Sequence, residues 1–246
     1  MRIAGIEKNS FRDYPGRLAA VLFTPGCNLD CFYCHNRHLL GGQPWFDGMP
    51  PRDALDWLAR RRAFLEAVVI SGGEPTLQPD LADFIRQVRA LGYPVKLDTN
   101  GTRPHVLAAL IEADLLDYVA MDVKAPQEKY EAFCGVPVDH SAINASIDLL
   151  LCGHIDYEFR TTAVPQLTED DLLAIARRIR GAKRFVLQQY RKPEARRERA
   201  DPRLDATPRS SLSIVGVVEE LQEFVQRCDT RGFASEQPAQ AALSVS

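Results

Sequence analysis

The stretch from Phe23 to Asn36, FTPGCNLDCFYCHN, follows an apolar run of strand length, Leu18 to Phe23, and carries Cys27, Cys31 and Cys34 in a loop opened by Pro25 and Gly26. A loop leaving a strand end lets several thiolates turn toward one centre. Three sulfurs are an incomplete set for structural zinc, which takes four protein ligands. No nearby second CxxC pair or HxxxH completes the set, although His35 or His38 could add a fourth ligand. A four-iron, four-sulfur cluster held by three cysteines instead leaves one iron open to a ligand from outside the protein. On the cysteines alone, a Cys3His zinc knuckle and an open cluster are both admissible.

Further strand-length runs occur at Ala67 to Ile70, Val95 to Leu97, Tyr118 to Met121, Tyr157 to Thr161 and Phe185 to Leu187. Helix-period segments alternate with them: Pro51 to Leu65, Pro79 to Leu91, Pro104 to Ala113, Ile143 to Leu151 and Glu169 to Ile179. Strict βα alternation predicts an α/β fold with a parallel sheet. An eight-stranded barrel usually needs somewhat more chain than 246 residues, so the expectation is an open, partial (β/α)6 barrel.

Residues 191–203 hold six basic and three acidic side chains and two prolines and read as a solvated connection. Ser211 to Arg227 predicts a last helix. The expected organisation is one domain over residues 1–231, with the cluster loop at 25–38, and a disordered tail over 232–246, rich in Ala, Gln and Ser.

A 46% hydrophobic content supplies a sizeable core, and a net charge of -3 gives no global basic field to steer the chain onto nucleic acid or an anionic membrane. The N-terminus lacks a signal-type apolar region, and no stretch approaches the roughly 20 apolar residues of a membrane span. A cytoplasmic location is expected. In a reducing compartment the scattered Cys134, Cys152 and Cys228 read as isolated thiols.

Polar residues gather where strands end. Ile70 is followed by SGGEP, with Gly72 and Gly73 letting backbone approach a ligand and Glu74 able to accept from an ammonium. The next strands end in LDTNG (Asp98, Thr99, Asn100) and MDVKAP (Asp122, Lys124). In a barrel-like sheet these C-terminal ends share one rim. Lys124 suits a carboxylate as a point charge, although Asp98 bonding its own turn and Lys124 snorkelling are the plainer alternatives. His105, His140 and His154 read as structural.

Together these motifs resemble the radical S-adenosylmethionine superfamily, in which the open iron is chelated by the amino and carboxylate groups of S-adenosylmethionine. The resemblance implies that Tyr33 packs near the adenine and that Gly72, Gly73 and Glu74 meet the amino group. It narrows, through DYPG (Asp13 to Gly16), the cysteine motif, SGGEP, LDTNG and MDVKAP, to activating enzymes of glycyl radical enzymes, and most closely to those of anaerobic ribonucleoside-triphosphate reductase. It runs from the N-terminus through VLQQY at Val186 to Tyr190.

By that resemblance Asp98, Thr99 and Asp122 hold a monovalent cation, and Asn100 and Lys124 contact S-adenosylmethionine. Asp13 and Arg160 face the partner's glycine loop, and Gln189 stands where relatives have a histidine near the adenosine. The implied activity is reductive cleavage of S-adenosylmethionine to a 5'-deoxyadenosyl radical, which leaves a glycyl radical on a partner enzyme. No cysteine lies between His35 and Gly72, so one cluster is expected, reduced by an external flavodoxin or ferredoxin. The alternatives are activation of another such enzyme, for instance pyruvate formate-lyase, radical chemistry on a small molecule or peptide, or a zinc-stabilised binding module.

Overall fold

Eight strands hydrogen-bond in chain order in the computed structural model, which describes residues 1–40, 48–193 and 201–233. They are β1 (Gly5–Ser10), β2 (Ala19–Thr24), β3 (Ala67–Gly72), β4 (Val95–Thr99), β5 (Tyr118–Asp122), β6 (Asp156–Ala163), β7 (Phe185–Gln189) and β8 (Cys228–Arg231). Only β1 pairs antiparallel; every later neighbour is parallel. No pairing joins β8 back to β1 among the described residues, so the barrel stays open.

The six expected strands are β2 to β7. The helices are α1 (Pro51–Ala59), α2 (Leu81–Ala90), α3 (Pro104–Glu112), α4 (Tyr130–Cys134), α5 (His140–Leu151), α6 (Glu169–Arg178) and α7 (Ser211–Leu221). Among the described residues, no helix is long and apolar enough to cross a membrane.

Alternation along the strands separates two faces. Leu22, Ile70, Leu97, Met121, Phe159 and Leu187 point outward, fully buried against the helices. Each stabilises the fold by roughly 1.5–3 kcal/mol. The inner face is apolar only at the first strands, where Ala19, Val21, Ala67 and Val69 cluster with Tyr14. Further round, the register brings Asp98 opposite Ala120, Asp122 opposite Arg160, and Thr162 opposite Gln188. There the interior is charged.

Lys96 Nζ meets Asp98 at 2.5 Å, Arg160 spans Asp98 at 3.3 Å and Asp122 at 2.8 Å, and Glu158 takes Arg184 at 3.2 Å and Arg231 at 3.3 Å.

Several expectations need correction. The edge strand β1 has too polar a pattern, GIEKNS, to register as a strand, and only its pairing with β2 forms it. Helix α1 stops at Ala59 rather than reaching Leu65. The last helix ends at Leu221, and Cys228 to Arg231 leave helical phase to pair with β7 as β8. Short α4 lacked a full helical period and was missed.

The 191–203 segment is solvated only in part. Residues 194–200 lie outside the described residues, but Arg203 stacks on Phe32 of the cysteine loop, its guanidinium carbon 4.0 Å from the ring centroid, and donates to the Ala132 carbonyl at 2.8 Å. Of the tail expected over 232–246, residues 234–246 also lie outside them.

Lys96 is fully buried and Arg160 also pairs with Asp98, so a methionine at 96 removes one of two partners from a buried carboxylate. Lys96→Met should lower unfolding stability by about 3 kcal/mol, the lower end of the range for breaking a buried ion pair, read from the urea midpoint at constant slope.

Candidate active site

The cysteine loop is fixed to the turn after β3 by main-chain hydrogen bonds. Gly73 N donates to Thr24 O at 2.9 Å and Glu74 N to Gly26 O at 2.8 Å, while Gly26 N closes the cysteine loop on itself by donating to Leu39 O at 2.7 Å. Both glycines are required. Gly72 has φ +124, and a β-carbon on Gly73 would stand 1.9 Å from the Gly26 carbonyl oxygen.

A cavity of about 230 Å³ opens above this junction at the C-terminal strand ends. It brings together Cys27, Cys31, Tyr33, Cys34, Gly72, Gly73, Asp98, Thr99, Asn100, Asp122, Lys124 and Arg160. No three His, Cys, Asp or Glu side chains among the described residues converge as a single-ion site. The three cysteines line the cavity.

Without metal, burial pushes the Cys27 thiol up to about 11 and raises that of Cys34. A hydrogen bond from Cys134 holds Cys31 below the usual range. Cys27 Sγ also accepts from Leu29 N at 3.4 Å and from Asn100 Nδ2 at 3.8 Å. Asp122 is held below the ordinary carboxylate range by Arg160 and Lys124 against its own burial, and Asp98 by Arg160 and Lys96.

Three expected site residues sit where their motifs alone do not place them. Glu74 is fully buried, and its carboxylate is taken up internally: Oε1 accepts from Thr76 N, Thr76 Oγ1 and Thr99 Oγ1 at 3.1, 2.5 and 2.8 Å, and Oε2 from Asn100 N at 2.7 Å. It braces the rim, and the cavity wall is left to Gly72 and Gly73. Gln189 sits one residue out of phase, so Gln188 lines this cavity in its place. Arg160, expected on the partner-loop face, lies beneath the cavity as the bridge between Asp98 and Asp122.

The expected cation site finds both its carboxylates already paired with lysine and arginine. Asp13 accepts from Ser10 Oγ and borders an adjoining opening of about 340 Å³ with Arg12, Gln189 and Arg231. Sequence reasoning missed Ser71, Thr162 and Gln188, which strand parity could have supplied, and Cys134, which nothing local in the sequence marks.

Residues 21–179 match the sequence profile of the Radical SAM superfamily, more than half of the chain, and the protein belongs to that superfamily. A Methanocaldococcus jannaschii protein named provisionally as a glycyl-radical enzyme activating enzyme is 38% identical over 200 residues, 78% of this chain and 81% of the relative. A Pyrococcus horikoshii protein named a probable GTP 3',8-cyclase is 32% identical over 121 residues, 48% of this chain and 38% of the relative. Among solved structures, SuiB of Streptococcus suis bound to its precursor peptide SuiA superposes with a TM-score of 0.62 at 15% identity, over 86% of this chain and 48% of that one. The chain thus spans about half of SuiB, and that likeness speaks for the fold.

Enzymes of the superfamily use a 4Fe-4S cluster and S-adenosylmethionine, and the residues present fit both. Three thiols face one space, two glycines leave main chain bare beside it, Lys124 adds a positive charge, and the buried Tyr33 hydroxyl bordering it has no protein partner.

Gly73→Ala should force the cysteine loop off the β3 turn. The expected outcome is a loss of several kcal/mol in chemical denaturation, together with reduced iron uptake on reconstitution. Wild-type stability and iron content would show that the contact is dispensable.

Proposed function

We propose that the protein is an activating enzyme that uses S-adenosylmethionine to install a glycyl radical on a partner enzyme, anaerobic ribonucleoside-triphosphate reductase in the first instance. The observation that carries this reading is the convergence of the three cysteines, the Gly72–Gly73 turn and Lys124 on one cavity. That cavity adjoins a second opening through the shared His35, Thr162 and Gln188. A partner loop needs such an unwalled approach, and the provisional name of the Methanocaldococcus relative supports the assignment.

In this reading Cys27, Cys31 and Cys34 hold the cluster, which when bound supplies the electron that cleaves the sulfonium to methionine and a 5'-deoxyadenosyl radical. The Gly72 and Gly73 main chain receives the amino group and Lys124 the carboxylate. Tyr33, buried on the cavity wall, packs against the adenine and excludes water there. Asp98, Asp122 and Arg160 act from below by fixing Lys124, whose Nζ lies 2.9 Å from Asp122 Oδ2. Asp13, with Arg12 at the outer opening, meets the incoming loop. The chemistry requires no general acid or base, and the electron comes from a flavodoxin or ferredoxin. Radical chemistry on a small molecule is the second reading, because the stretch shared with the Pyrococcus relative covers 48% of this chain.

Anaerobically reconstituted protein should yield 5'-deoxyadenosine from S-adenosylmethionine and reductant, and a glycyl radical doublet should appear by electron paramagnetic resonance on the co-incubated reductase. Cys31→Ala should reduce both to background. Nucleoside product without a radical on the reductase or on another glycyl radical enzyme would favour the second reading; a fully loaded protein that makes no nucleoside would refute both.

A further inference from the structure

Beyond β7, a single 3-10 turn, Pro202–Asp205, closes on the cysteine loop from the side away from the cavity. Gln166 Nε2 donates to its Arg203 carbonyl at 2.8 Å and Tyr190 Oη to its Leu204 carbonyl at 3.3 Å, which tie the turn to the barrel. Asp201 grips the Arg203 side chain as a fork: Oδ1 accepts from Nε at 3.0 Å and Oδ2 from Nη2 at 2.8 Å. The guanidinium so fixed lies over the Phe32 ring, 4.0 Å from its centroid, and Nη1 donates to the Ala132 carbonyl at 2.8 Å. Phe32 meets Tyr33 edge-on with ring centroids 5.0 Å apart, and Phe133 packs against both at 5.5 and 6.4 Å. All three rings are buried. The Tyr33 hydroxyl has no hydrogen-bond partner among the described residues, so packing orients this ring on the cavity wall.

We propose that Arg203 is a positioning residue that acts through Phe32 to hold Tyr33 in place for the adenine of S-adenosylmethionine. A guanidinium over a ring face is attracted by the ring quadrupole and restrains the ring's tilt. Asp201 fixes the plane of the fork beforehand, which a lysine ammonium has no means to match. A small misplacement of a binding wall is felt in the affinity of the group that packs on it. The cysteine loop is joined to the β3 turn separately, through Thr24, Gly26 and Gly73, so the effect falls on the adenosine half of the cosubstrate and spares the cluster. The inference rests on the reading that S-adenosylmethionine occupies the cavity with its adenine on Tyr33, and binding to the wild-type protein tests that reading by itself.

The deciding experiment compares the binding of S-adenosylmethionine with that of methionine, which has the same amino and carboxylate groups but no adenosine. Both are titrated into reduced, reconstituted wild-type protein and the variants Arg203→Ala, Arg203→Lys and Phe32→Leu, with the cluster's electron paramagnetic resonance spectrum as readout and iron content measured alongside. Arg203→Ala should bind S-adenosylmethionine about tenfold more weakly, equal to about 1.4 kcal/mol, with methionine affinity and iron content at wild-type values. Arg203→Lys should fall between the two. Phe32→Leu should show the same selective loss, and adding Arg203→Ala to it should cost nothing further, because the route to Tyr33 is already broken. Wild-type affinity for S-adenosylmethionine in Arg203→Ala would overturn the proposal, as would equal weakening of both compounds, loss of iron, or additive losses in the double variant. Wild-type protein with a full cluster that binds neither compound would refute the functional reading and this inference with it, whereas the variant outcomes refute the inference alone.

Discussion

Gly73 lies so close to the Gly26 carbonyl that no side chain fits between them, and the N–H groups of Gly73 and Glu74 are spent on Thr24 and Gly26. This contact makes two loops, separated by more than forty residues of chain, into one surface. It sets the cysteine sulfurs against bare main chain across the cavity. Glu74 extends the same brace to β4 through Thr99 and Asn100. Three strand ends are thereby locked together before any ligand arrives, which is what the binding of a reactive cosubstrate in one geometry demands.

The second constraint is charge. Burying Lys96, Asp98, Glu158 and Arg160 in a barrel interior is costly unless every charge is paired. Beneath the cavity the cations Lys96, Lys124 and Arg160 face the carboxylates Asp98 and Asp122, three against two. Glu158, deeper on β6, is matched separately by Arg184 and Arg231. Asp98 is paired with Lys96 and Arg160, and Asp122 with Lys124 and Arg160.

The parallel core was legible in the sequence because β2 to β7 are short apolar runs closed by turn residues, and the rim motifs follow them at fixed offsets. Edge elements were not. β1 and β8 owe their conformation to a neighbouring strand, a tertiary effect that a local pattern does not carry. At the site, residue types identified the cysteines, the glycines and Lys124, all of which border the cavity. Direction was harder to read: Glu74 turns inward because Thr76, Thr99 and Asn100 offer it four hydrogen bonds, and Gln188 displaces Gln189 by the two-residue period of β7. Cys134 and Arg203 reach the cysteine loop from distant segments, and no spacing rule connects them to it.

The central claim is that three cysteines leave one iron of the cluster open and that S-adenosylmethionine occupies it. Electron–nuclear double resonance on the reduced, reconstituted protein tests this directly, with S-adenosylmethionine labelled with nitrogen-15 in the amino group and oxygen-17 in the carboxylate. Hyperfine coupling from both labels to the cluster is the expected result. A cluster spectrum unchanged by the labelled compound, with neither coupling present, would contradict the account.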